Sequence, residues 1–379
     1  MTNTGLGFGV LGPLSMTAHG VRVPVGPPKQ RAVLAMLLIN RNRPVSVESL
    51  IHGVWGEDPV PAARTSIQAH VSNLRRLLRS AGADPSRVLA SAPPGYQLNV
   101  ADADCDVGRF LASKAAGTKA AAAGQFDEAS GHFSAALAEW RGPVLDDLRD
   151  CAFVAGFATT LMEEKVAAQL ARAEAEIACG RAAAVIGELE ALAAEHHYRE
   201  PVWAQLITAY YVTERQSDAL GAYRRLKTAL AEGLGIDPGP TVSALHERIL
   251  RQEPLGTHLA ALTTHKRGVY RQEDTASETP VAERSVARLR DKTGRQHRLS
   301  GVTIRIGRFT DNDVVLDDTE VSRHHAVIAD TGTGFVLTDL RSTNGVEVQG
   351  QRIRGSATLA DGDRIRIGNQ EFTFEIRPG

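Results

Sequence analysis

The spacing of hydrophobic and polar positions changes character twice along the chain. It opens with short apolar runs, Phe8-Gly9-Val10-Leu11 and Val21-Arg22-Val23, separated by Gly12-Pro13 and closed by Gly26-Pro27-Pro28. Such runs between turn residues predict β-strands. A helical period then predicts helices over Lys29–Asn40, over Ser46–Trp55 with Ser46 as its cap, and over Ala62–Ser80, which Gly82 ends. Val88-Leu89-Ala90 and Tyr96-Gln97-Leu98, on either side of Pro93-Pro94-Gly95, predict a hairpin.

From Cys105 to about Arg251 the helical period is unbroken except around Trp140 to Phe157, and a weak internal repeat runs through it. Shifting Arg181, Val185, Ile186, Leu189 and Leu192 by 34 residues lands on Arg215, Ala219, Leu220, Tyr223 and Leu226. Apolar positions fall on apolar ones, as in stacked helical hairpins similar to tetratricopeptide repeats. The segment Gly124-Gln125-Phe126-Asp127-Glu128-Ala129 echoes the same helix-turn junction out of step with that period. Between Gln252 and Glu283 the apolar pattern fades into Thr, Glu, Gln, Arg and His, a composition that buries little surface. Beyond it, Val302–Ile306, Val314–Leu316, His325–Ile328, Phe335–Leu337, Gly345–Val348 and Phe372–Phe374 are short strands between Asp, Asn and Gly clusters, which predicts an antiparallel β-sandwich. The expected boundaries are therefore 1–102, 103–252, a linker over 253–284, and 285–379 in a multidomain α+β protein.

Charge refines this division. The formal net charge is -1 over 379 residues, but residues 1–100 hold 10 Lys+Arg against 4 Asp+Glu. Residues 101–252 hold 15 against 22, and the remainder 18 against 18. Only the first segment suits a polyanion. Cys105, Cys151 and Cys179 are three widely spaced thiols, which imply neither a disulfide framework nor a CxxC metal site. No apolar stretch reaches spanning length and no leader pattern opens the chain, so a cytoplasmic protein with no membrane partner is expected.

Three polar clusters fall at turns of the C-terminal sandwich: Gly307-Arg308, Ser322-Arg323-His324-His325 and Thr343-Asn344-Gly345. Arg308 offers a guanidinium fork, Ser322, Thr343 and Asn344 offer hydroxyl and amide donors, and Arg323 adds a second positive charge. Together they suit a phosphate with its three acceptor oxygens. In this order the clusters resemble the forkhead-associated (FHA) family signature of Gly-Arg, Ser-x-x-His and Asn-Gly. The resemblance implies that Arg308, Ser322 and Thr343 bind a phosphothreonine phosphate. It implies that Arg323 and Asn344 hold the ligand's main chain or add phosphate contacts, and that Gly307, His325 and Gly345 shape the loops.

At the other end, Ile67, Val71, Leu74 and Leu78 share one face of the third helix, while Thr65, Ala69, Ser72 and Arg76 lie opposite, with Gln68, Asn73 and Arg79 alongside. Taken alone this is an ordinary solvated face. Two helices before it, a hairpin after it and a basic surrounding segment make the order that of a winged helix-turn-helix, whose third helix enters the major groove. Pro28-Lys29-Gln30-Arg31, Arg64 to Leu78 and Pro94-Gly95-Tyr96 resemble the response-regulator type of winged helix. With Trp140-Arg141-Gly142, Asp218-Ala219-Leu220 and Leu234-Gly235-Ile236-Asp237-Pro238-Gly239-Pro240, the chain resembles the Streptomyces antibiotic regulatory protein (SARP) family and its bacterial transcriptional activation domain (BTAD). On this reading Thr65, Gln68, Ser72 and Arg76 face bases or groove-edge phosphates, and Arg64, Asn73, Arg75 and Arg79 are phosphate contacts. The wing reads Ala92-Pro93-Pro94-Gly95-Tyr96, without the Arg that many relatives carry before this turn, so the resemblance does not imply a minor-groove contact from the wing.

Gly7-Phe8-Gly9-Val10-Leu11-Gly12 fits GxGxxG literally, but Pro13 follows where a dinucleotide site needs a helix. No P-loop, kinase, hydrolase or zinc signature is present, and neither Cys nor Glu stands at ligand spacing from His324 and His325. No enzyme activity, cofactor or metal is expected. The resemblance implies a transcriptional regulator that binds promoter DNA and reads phosphothreonine on a Ser/Thr protein kinase or another partner. Its helical middle would join protomers in a homodimer on DNA or contact RNA polymerase. A phospho-dependent adaptor or kinase modulator with a minor DNA-binding role is the alternative.

Overall fold

The computed structural model describes residues 5–56, 58–255, 286–299, 303–310, 312–330, 335–340, 342–353 and 355–377. The linker expected over 253–284 lies outside them apart from its first three residues. The described residues form two compact units. One draws on 1–108, 140–164 and 276–379, the other on 109–139 and 165–275.

The first unit begins with an antiparallel sheet of β1 (Leu6–Gly9), β2 (Ser15–Ala18) and β3 (Val21–Arg22). Helix α1 (Pro28–Ile39), strand β4 (Pro44–Ser46), helix α2 (Val47–Trp55) and helix α3 (Ala63–Ser80) follow. A short α4 (Pro85–Val88) leads to the wing, β5 (Leu89–Ala92) and β6 (Gly95–Leu98), with Leu89 opposite Leu98. This is the expected winged helix. Pro27-Pro28 starts α1 where no intrahelical donor is needed, and Ser46 caps α2 by accepting from the Ser49 amide at 2.9 Å. Strand β4 pairs Pro44 to Ser46 with Gln97 to Gly95. Three residues are too few to display an alternation, which is why the pattern did not predict it.

Packing cuts across the expected 103–252 segment. The buried Asp106 carboxylate accepts from the amides of Val10 and Leu11, each at 2.9 Å, and pairs with Arg141 at 3.0 Å. Asp147 accepts from the Leu14 amide at 2.7 Å and pairs with Arg31. Asp106 and the stretch from Trp140 to Glu164 thus together complete the hydrogen bonding of the N-terminal sheet, whose Gly9-to-Leu14 turn has backbone donors to satisfy.

The second unit is helical. It takes in most of α5 (Asp106–Ala122), all of α6 (Phe126–Ala138), the latter part of α7 (Ala152–Ala178), then α8 (Ile186–Glu195), α9 (Glu200–Val212), α10 (Gln216–Leu234) and α11 (Pro240–Leu250). Leu189, Trp203, Leu206, Ile207 and Leu226 share its main core. Three junctions repeat one backbone device. The amides of Gln125, Arg181 and Arg215 donate five residues back to Ala120, Glu176 and Tyr210 at 2.8–2.9 Å. The residue before each, Gly124, Gly180 or Glu214, has φ of +73°, +76° or +63°. The echo at Gly124 is therefore the same turn as the two copies 34 residues apart.

The C-terminal sandwich returns to the first unit. One sheet has the order β10-β9-β11-β12-β15, from β9 (Thr303–Gly307), β10 (Val314–Val315), β11 (Ala326–Asp330), β12 (Phe335–Asp339) and β15 (Ser356–Leu359). The other has β14-β13-β16-β17-β7-β8, from β7 (Val286–Asp291), β8 (Gln296–Leu299), β13 (Val346–Val348), β14 (Gln351–Arg352), β16 (Arg364–Ile367) and β17 (Gln370–Arg377). Ile304, Ile306, Leu337, Ile367 and Phe374 pack between them. The expected wholly antiparallel arrangement is corrected at one edge. Strand β10 lies parallel to β9, with Val314 beside Ile306, because the chain loops out after Gly307 and re-enters the edge in the same direction.

Candidate ligand loops and nucleic-acid interface

The three polar clusters meet at one end of the sandwich. Arg308 follows β9 and its amide donates to the Ser322 carbonyl at 3.0 Å, while the Phe309 amide donates to the Arg323 carbonyl at 3.1 Å. Gly307 permits this approach, since a Cβ there would stand 2.3 Å from the Arg323 carbonyl oxygen. Asn312, which the sequence did not single out, is buried and donates from Nδ2 to the carbonyls of Phe309 and Arg323, both at 2.8 Å. The Arg308 side chain is exposed and has no ion-pair partner among the described residues.

His325 is fully buried and joins the second cluster to the third. Its Nδ1 accepts from the Ser322 amide at 2.9 Å and its Nε2 lies 3.0 Å from the Gly345 carbonyl oxygen. An acceptor at Nδ1 requires the proton on Nε2, so the ring is neutral and donates to Gly345. Burial lowers the imidazole pKa, which favours that same neutral form. The Ser322 Oγ accepts from the Thr343 amide at 3.1 Å, leaving its proton for a ligand. Thr343 and Asn344 are exposed, and the Asn344 amide nitrogen donates to the Glu320 carbonyl at 2.9 Å and carboxylate at 2.6 Å. Ser342 and Asp339 shape the turn: Gly345 N–H donates to the Ser342 Oγ at 3.0 Å, and Ser342 N–H to Asp339 at 2.9 Å. Neither was legible as a site residue, because short polar side chains at turns are common everywhere. Arg323 turns its guanidinium over the Phe309 ring, 5.5 Å from the centroid, and toward His52 of α2.

On α3, Ile67, Val71, Leu74 and Leu78 are buried. Arg64, Thr65, Gln68, Ser72, Arg76 and Arg79 are exposed, and Asn73 and Arg75 are half-buried. The helix places Thr65, Gln68, Ser72 and Arg76 on one outward stripe. Arg75 does something else. Its Nε donates to the Leu89 carbonyl at 3.0 Å, its Nη2 to the Ser91 hydroxyl at 2.9 Å, and its guanidinium lies 5.7 Å from the Tyr96 ring centroid. It ties α3 to the wing. Arg64 is paired with Glu48, and Arg76 Nη2 donates to Asn73 Oδ1 at 3.0 Å. Among the described residues no cluster of His, Cys, Asp and Glu could hold a metal ion, and no helix is long and apolar enough to cross a membrane.

A winged helix, a helical-hairpin region and a phosphate-suited sandwich in this order define a multidomain regulator of transcription. Residues 24–98 match the family described as transcriptional regulatory protein, C terminal; residues 105–250 match the bacterial transcriptional activator domain; and residues 304–368 match the FHA domain. The chain belongs to the SARP-type transcriptional regulators that carry a C-terminal FHA domain. It is 62% identical over 377 residues to the transcriptional regulatory protein EmbR of Mycobacterium tuberculosis, covering 99% of this chain and 96% of that protein. It is 34% identical to the regulatory protein AfsR of Streptomyces coelicolor over 76% of this chain and 28% of that longer protein. The solved structure of M. tuberculosis EmbR in complex with a low-affinity phosphopeptide superposes with a TM-score of 0.84 at 60% identity, covering 99% of both chains.

Proposed function

We propose that the chain binds promoter DNA through α3 and reads phosphothreonine on a Ser/Thr protein kinase or another partner through the loops of its FHA domain. The observation that carries this reading is the convergence of Arg308, the Ser322 hydroxyl and Thr343 around an open end whose loops are pinned by His325. A phosphoryl group placed there would receive charge-assisted hydrogen bonds from two hydroxyls and, with opposite charges on donor and acceptor, from a guanidinium. Asn344 would hold the ligand's main chain. The solved relative, a complex with a low-affinity phosphopeptide, supports phosphopeptide binding as a property of this chain too.

For DNA, Thr65, Gln68, Ser72 and Arg76 form the stripe offered to base edges, with Arg64, Asn73 and Arg79 placed for phosphates. Arg75 serves this role indirectly, by fixing the helix against the wing. The helical unit would join protomers or meet RNA polymerase, and its acidic balance keeps it off the DNA.

The test pairs two substitutions. Arg308→Ala should abolish binding of phosphothreonine peptides and leave promoter affinity intact, and Arg76→Ala should weaken promoter affinity and leave phosphopeptide binding intact. Undiminished phosphothreonine binding by Arg308→Ala would overturn the assignment of the loops. Promoter occupancy and transcription unaffected by Arg76→Ala would favour a phospho-dependent adaptor.

A further inference from the structure

Within the first unit the ligand loops of the sandwich are in contact with the winged helix. Arg323 Nη1 lies 2.8 Å from His52 Nδ1 on α2. A guanidinium has only donors, so this contact requires the lone pair of Nδ1. The same Nδ1 lies 3.2 Å from the carbonyl oxygen of Gly56, the residue that ends α2. Toward a carbonyl, Nδ1 must carry the proton. His52 can thus accept from Arg323 or donate to Gly56, and cannot do both at once.

The neighbouring contacts come from the same end of the sandwich. Asp313 bridges Arg43, at 2.6 Å, and Arg305, at 3.4 Å. Arg305 also donates to the Asn40 side chain just beyond α1. From the other side Leu340 sits so close to Gly156 of α7 that a Cβ there would fall 2.0 Å from Leu340 Cδ2. Arg305 and Asp313 flank Arg308, and Leu340 precedes Thr343 by three residues. One end of the sandwich therefore serves both as ligand mouth and as docking face.

We propose that Arg323 is contested between His52 and a phosphothreonine ligand, so that occupation of the loops loosens the hold of the FHA domain on α2. This rests on the reading of the loops given above. A ligand that takes Arg323 releases the Nδ1 lone pair of His52, and Nδ1 can then carry a proton toward the Gly56 carbonyl. The signal then arrives at the helix immediately before α3. Coupling of this kind is reciprocal: whatever weakens the docking must strengthen the ligand.

Three substitutions lie outside the sandwich and leave its ligand groups untouched: His52→Ala, Arg43→Ala and Gly156→Val. In the intact chain, affinity for a labelled, sequence-degenerate phosphothreonine peptide pool should rise in each, on the order of twofold to tenfold, the level at which a single contact at a partly exposed face contributes. Arg308→Ala serves as the reference for loss of binding. Affinities of His52→Ala and Arg43→Ala equal to or below wild type, with Arg308→Ala still inactive, would sink the contest while sparing the ligand site. If wild type fails to bind the phosphorylated pool over its unphosphorylated counterpart, the ligand site and the contest fall together.

Discussion

The imidazole of His325 and the carbonyl of Gly345 are joined by a 3.0 Å hydrogen bond that closes the ligand loops from inside the sandwich. Because the ring also accepts from Ser322, one buried side chain sets the distance between two loops whose other links, from Thr343 to Ser322 and from Asn344 to Glu320, are exposed. His325→Ala should cost about 2–4 kcal/mol of stability from lost hydrogen bonds and packing. It should also abolish phosphothreonine binding although the ring need not touch the ligand. The folded-state pKa is depressed, so the unfolded chain takes up a proton first as pH falls below the ordinary value of about 6.5. Stability supplied by the neutral ring is complete above that pH and declines below it. Thermal melts at several pH values should show this slope in wild type and a shallower one in His325→Ala.

Two adjacent arginines should separate cleanly. Arg75→Ala removes the bonds to Leu89 and Ser91 and the contact with Tyr96, and should lower stability by about 1–3 kcal/mol. Arg76→Ala should leave the melting temperature nearly unchanged while weakening specific DNA binding by about 1–3 kcal/mol. Equal melting temperatures for the two variants would contradict the bracing role of Arg75.

Burial pushes the Glu174 carboxyl up to about 7. A carboxyl raised in the folded state is neutral in both states at low pH and becomes a burden as the unfolded chain ionises first. Glu174→Gln should therefore match wild type near pH 4 and exceed it by about 1–3 kcal/mol near pH 8, as denaturant midpoints at the two pH values would reveal. A constant difference across that range would rule out the titration.

Glu214 occupies the left-handed region that Gly124 and Gly180 take at the equivalent junctions. A side chain there costs about 1–2 kcal/mol relative to glycine, partly offset by glycine's greater freedom when unfolded. Glu214→Gly should raise stability by about 0.5–1 kcal/mol in chemical denaturation, with no change in peptide or DNA binding.

The division into winged helix, helical hairpins and sandwich was legible because each obeys a different hydrophobic period. The ligand loops were legible through Arg308, Ser322, Thr343 and Asn344, whose chemistry stands out at turns. Asn312, Ser342 and Asp339 were not, since their work is done through backbone groups that come together only when the strands pair. Arg75 shows the complementary limit. On a helical wheel it is one more cation beside the polar face, and only the position of the wing reveals that its guanidinium is turned to Leu89 and Ser91. The stretch from Trp140 to Phe157 read as an irregularity in a helical repeat because its partners in the N-terminal turn, such as Leu14, are more than a hundred residues away.

Those distant partners bear on the order in which the protein is made. The amides of Val10 and Leu11 wait for Asp106, and that of Leu14 waits for Asp147. Domains generally close as soon as their last contributing residue has left the ribosome. Here the last of these acceptors lies 133 residues beyond its donor, so the DNA-reading module is completed by residues translated after it.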